Sequence, residues 1–124
     1  MNPNYIAGLS PQQRLIQERL IRKSQKTYAQ TGEILERPKV SKTQTPRSPW
    51  VRQFQEKHGF PVTDLEKVKK AYPNADVETI LKKGAGAYAS SGSRPNVSSY
   101  QWKFARLASA LLGGPAAKVD RNLL

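Results

Sequence analysis

Cysteine is absent from this sequence and histidine occurs once, at position 58. The first absence removes disulfides, thiolate ligands for zinc and a cysteine nucleophile. The second leaves no histidine pair for a metal or for a catalytic relay. Any metal site would have to be built from carboxylates, and these are scarce too: nine Asp and Glu in 124 residues. Asp64, Glu66, Asp76 and Glu78 fall at helix starts, where caps and dipole partners are favoured. His58 falls in the last turn of a short helix, also a dipole-favoured place. No Gly-x-Ser-x-Gly elbow occurs. Gly84-x-Gly86-x-x-Ala89 lacks the preceding strand that a dinucleotide fingerprint needs, and no phosphate-binding P-loop is present. We therefore expect no catalytic residue, no metal site and no cofactor.

Long apolar runs are missing as well, so no membrane span is expected, and Met1-Asn2-Pro3-Asn4 has no signal-peptide pattern. The chain reads as soluble and made inside a cell. Hydrophobic residues make up 37%, which leaves part of the chain outside any packed core. What the sequence has in excess is positive charge. Twenty-one Lys and Arg give a net charge of +12, which favours polyanions or acidic protein faces. Residues 1–47 hold nine basic and three acidic residues, and residues 48–124 hold twelve and six. Both parts are basic.

The periodicity predicts an all-α protein, a small bundle of about five short helices preceded by an N-terminal helix and an extended arm. Ser10-Pro11-Gln12-Gln13 starts the N-terminal helix with a capping box, and Gly32 stops it. Leu15, Ile16, Leu20, Ile21 and Tyr28 make a narrow apolar stripe, surrounded by Arg14, Arg19, Arg22, Lys23 and Lys26. Residues 33–47 contain Pro38 and Pro46 and no periodicity, which reads as a linker or an arm lying along another surface. We place a domain boundary near Arg47, between 1–47 and a compact helical domain at 48–124.

In that domain Ser48-Pro49 opens a helix with Trp50, Val51 and Phe54, closed by Gly59. Thr63 through Glu66 reads as a capping box for a helix with Leu65, Val68 and Tyr72 on one face. The next helix carries Val77, Ile80 and Leu81 and is expected to stop at Gly84. Residues 84–97 are read as a long loop shaped by Gly84, Gly86, Gly92 and Pro95. Ser98 and Gln101 cap a helix that is apolar nearly all round, with Trp102, Phe104, Leu107 and Leu111. Gly113-Gly114-Pro115 breaks it before a last short helix. Trp50 and Trp102 are expected in the core.

Arg94, between Ser93 and Pro95, has two readings. It ties the loop to helix-end carbonyls or to Asp120, or it meets a phosphate or a partner's carboxylate. Arg14, Arg22, Lys23, Lys26, Lys39, Lys42 and Arg47 are the other candidate contacts for a partner or a phosphate.

The run Gly86-Ala87-Tyr88, Gly92 through Asn96, Trp102, Ala105 through Ser109, Gly113-Gly114 and Ala117 through Asp120 resembles a small domain of uncharacterised function. That domain occurs in proteins of tailed bacteriophages and large DNA viruses. The resemblance covers about residues 48–124 and supplies no catalytic residues. It implies a viral origin and a place in the virion, after synthesis in the host cytoplasm. The expected role is a minor structural protein present in multiple copies. It would bind capsid, portal or tail proteins through its arm, with DNA as a further contact and no membrane. The alternative is a nucleic-acid-binding protein packaged with the genome or acting during infection.

Overall fold

Three serine-initiated helices set the frame of the chain, seen here in a computed structural model that describes residues 2–42 and 48–124. Helix α1 (Pro11–Thr31) starts at Ser10, whose hydroxyl accepts from the Gln13 N–H while the Gln13 side chain accepts from the Ser10 N–H. Helix α2 (Pro49–His58) is capped by Ser48, and α5 (Ser99–Leu111) by a second capping box between Ser98 and Gln101. Between them lie α3 (Leu65–Ala71) and α4 (Val77–Ser90); α6 (Pro115–Val119) follows, with 3₁₀ turns at Pro3–Tyr5 and Arg121–Leu123. The fold is all-α: six helices and no strand among the described residues.

Two helix limits differ from the sequence expectation. The cap of α3 is Asp64, accepting from the Lys67 N–H, and not Thr63. Helix α4 does not stop at Gly84 but runs on to Ser90. A Cβ at Gly84 would lie 2.9 Å from the Lys103 Cα, and one at Gly86 would lie 2.8 Å from the Tyr28 hydroxyl. Both glycines therefore serve close approach within a helix. They cost about 1 kcal/mol each against alanine in helix propensity, and the packing they permit offsets it. Of the four residues read as shaping the long loop, only Gly92 and Pro95 lie outside helix.

The chain forms two compact units, Met1–Pro46 with Ala85–Trp102, and Arg47–Gly84 with Lys103–Leu124. Residues 85–102, which the sequence reading places in the second domain, thus belong with the N-terminal segment. Helices α4 and α5 contribute residues to both units.

The second unit holds the larger apolar core, built from Phe54 of α2, Val62, Val68 of α3, Val77, Ile80 and Leu81 of α4, and Phe104, Leu107, Ala108 and Ala110 of α5. Trp50 packs on its edge, and its ring leaves no room for a side chain at Gly114. Arg106 makes a two-pronged ion pair with the fully buried Asp120, at 2.9 and 2.7 Å. That contact holds the Arg106 pKa above its ordinary value.

The first unit is joined largely through polar side chains. Gln17, Ile21 and Ser24 form the buried face of α1. Gln17 donates to the Ser93 carbonyl, Ser24 to that of Ala89 and Gln25 to that of Ser91. These bonds satisfy carbonyls at and beyond the end of α4, which have no partner within the helix. Leu15 and Ile16, expected in the apolar stripe, are exposed instead. Trp102, expected in the core, is half-buried.

Candidate functional site

Residues 32–42 form no helix, yet they are tied within the first unit. Arg37 is the anchor, with 8% of its surface exposed. One guanidinium nitrogen donates to the Ser24 hydroxyl at 3.0 Å and to the Tyr88 carbonyl at 2.9 Å; the other donates to the Ser93 hydroxyl at 2.8 Å. The Arg37 backbone N–H donates to the Tyr88 hydroxyl, and the guanidinium carbon sits 3.8 Å from the centre of the Tyr88 ring. Burial lowers the Arg37 pKa, with Tyr88 and Glu36 working the other way. Burial raises that of Tyr88, against the N–H donated by Arg37. Three neutral acceptors and an aromatic face receive this cation. Its Nε has no partner among the described residues.

Neighbouring residues fasten the rest of the segment. Glu36 accepts from the backbone N–H and the hydroxyl of Ser99. Asn96, at φ 66°, accepts from the N–H groups of Val40 and Ser41 and donates to the Ser41 hydroxyl. The latch that is one of the two readings of Arg94 is made instead by Arg37 and, in the second unit, by Arg106 with Asp120. Arg94 is exposed, and its guanidinium makes no hydrogen bond or ion pair among the described residues. Nothing in the sequence around Arg37 signals its burial, because its partners Tyr88 and Ser93 lie 51 and 56 residues away.

Besides Arg94, the described candidate contact residues fall into three places, all in the first unit. Arg22, Lys23 and Lys26 share the exposed side of α1 with Arg19, which the candidate set omits although its spacing places it there. None of the four side chains is in an ion pair or hydrogen bond among the described residues. Arg14 is exposed but lies off this face, one turn before Glu18. Lys39 and Lys42 line a cleft of about 590 Å³ with Gly8, Gln13, Val40 and Ser41. Arg47 lies outside the described residues.

The second unit offers less. His58 Nε2 is 2.7 Å from the Tyr72 hydroxyl, and the imidazole centre is 4.5 Å from that of Phe54 and 5.5 Å from that of Phe60. Burial, then Lys57, lowers the His58 pKa, and burial raises that of Tyr72. This is an aromatic seam between α2, α3 and the turn between them. A cleft of about 270 Å³ beside Tyr72, Pro73, Ala110 and Leu124 is lined by no carboxylate, histidine or basic side chain. No group of three His, Cys, Asp or Glu side chains converges as a metal site among the described residues. No described helix is long and apolar enough to cross a membrane.

The chain belongs to a protein family of unknown function (DUF5824), whose model matches residues 3–123. The match takes in α1 and the segment after it as well as 48–123, so the N-terminal part belongs to the family's shared sequence. No curated protein and no solved structure matches the chain.

Proposed function

We propose that this member of the family is a minor structural component of a virus particle, which works by binding a macromolecular partner through the exposed cationic face of α1. One observation carries this reading. Arg19, Arg22, Lys23 and Lys26 are all exposed on one side of one helix, at spacings of three and four residues. Like charges at those spacings destabilise a helix by about 0.2–0.5 kcal/mol per pair. No acidic side chain among the described residues pairs with them. A docked anionic partner removes that penalty.

The viral setting rests on the sequence resemblance. The binding element differs from the one the sequence suggests, because the segment containing Arg37 is committed to its own unit and is not a free arm. Capsid, portal or tail proteins stay the partners proposed. The net charge of +12 favours packaged DNA as a second reading, since cations on every part of the chain suit a polyanion. The role proposed is binding, without catalysis. Mass spectrometry of purified mature particles tests the reading. The chain should be present at a fixed ratio to the major capsid protein, and its absence would refute a virion role.

A further inference from the structure

The exposed side of α1 carries more than charge. Leu15, Arg19, Arg22 and Lys26 follow one another at spacings of four, three and four residues, the rhythm of a seam on which a second helix packs. Gln12 and Ala29 extend the same line at its ends, and Ile16 and Lys23 flank it; all are exposed. From Leu15 to Lys26 the seam is about 16 Å long at the helical rise. No carboxylate falls on it. Glu18, the only acid of α1, is half-buried on the other flank.

The two aliphatic residues decide what suits this surface. Leu15 is 63% exposed and Ile16 47%, and they are adjacent at the N-terminal end of the cationic ridge. A phosphate backbone gains nothing from them. A second copy of the chain would oppose +12 with +12. An acidic amphipathic helix matches both parts, with aliphatic groups over Leu15 and Ile16 and carboxylates along the cations. The Arg and Lys stems add apolar cover to such a contact, and the charges fix its register and direction.

Resting on the docking reading above, we propose that this seam receives an acidic amphipathic helix of a partner protein. The probe is a synthetic helical peptide with Leu-Glu-Glu-Glu at the same four-three-four spacing, prepared with the leucine at either end to allow parallel and antiparallel pairing. It is titrated against the full chain by fluorescence anisotropy. One of the two peptides should bind. Leu15→Ser with Ile16→Ser, and separately Arg22→Glu with Lys26→Glu, should each weaken binding about tenfold or more, about 1.4 kcal/mol. Both variants should fold as the parent does, because all four positions are exposed. The charge reversal should if anything raise the melting temperature by relieving the like-charge pairs with Arg19 and Lys23.

Failure of both peptides to bind overturns the proposal, as does binding indifferent to Leu15 and Ile16. A 21-base-pair duplex is titrated in parallel. If the duplex binds and neither peptide does, with a log–log salt slope of about −3.6 for four phosphates, nucleic acid is the occupant and the helix proposal fails. Loss of the peptide interaction alone leaves the docking reading intact with another occupant. Absence of the chain from particles is the separate failure of that reading.

Discussion

Arg37 is a buried cation without a buried anion, and its neighbourhood explains how the fold tolerates it. Two serine hydroxyls, a carbonyl and the face of Tyr88 take its donors and its charge. Removing the guanidinium leaves those acceptors buried and unpaired, so Arg37→Ala should lower unfolding stability by about 3 kcal/mol. Arg94→Ala, at an exposed side chain, should change it by no more than about 0.5 kcal/mol. Chemical denaturation of the two variants checks both values. Equal losses would contradict the assignment of the latch. His58 gives a second residue-scale expectation. Its pKa is lowered in the folded chain, so the unfolded chain binds the proton more readily. Stability should be full above the ordinary histidine value of 6.5. It should decline as pH falls below that value, and level off once the folded form is also protonated. Denaturation between pH 5 and 8 should show this slope in the parent and not in His58→Gln.

At the scale of elements, the starts of α1, α2 and α5 were legible, the cap of α3 was displaced by one residue, and the end of α4 was not legible. Ser10, Ser48 and Ser98 each cap in the way their side chains permit, because a cap is decided within three residues. The end of α4 is hidden from the sequence because glycine inside a helix and glycine after one look alike locally. The difference lies with Lys103 and Tyr28, which are distant in sequence. Gly84→Ala separates the two meanings. Propensity alone would make it stabilising by about 1 kcal/mol, whereas the Lys103 backbone at 2.9 Å leaves no room for the methyl group. The melting temperature should fall, and a rise would contradict the packed position. Leu107, fully buried in α5, was legible from its place in an apolar run. Leu107→Ala should cost about 2–5 kcal/mol, measurable in the same denaturation series. The exposure of Leu15 and Ile16 is hidden from the sequence for the same reason as the end of α4. They are apolar by type, but the buried face of α1 is chosen by Gln17 and Ser24, whose hydrogen bonds go to residues far along the chain.

For the whole molecule, the sequence made the all-α class and the basic character plain. The division into two units was not legible, because it depends on 85–102 joining the N-terminal segment through Gln17, Ser24, Gln25, Glu36 and Arg37. The same contacts move the candidate interface from an arm to the outer face of α1. That relocation separates a local docking surface from a diffuse charge effect. The most direct measurement is incorporation into particles, quantified by mass spectrometry, for two variants with equal changes of net charge. One carries Arg19→Glu, Arg22→Glu, Lys23→Glu and Lys26→Glu; the other carries Lys70→Glu, Lys82→Glu, Lys83→Glu and Lys118→Glu at exposed positions of the second unit. The first variant should fold and be excluded from particles, while the second is incorporated like the parent. Equal incorporation of both, or equal loss of both, would contradict docking through α1.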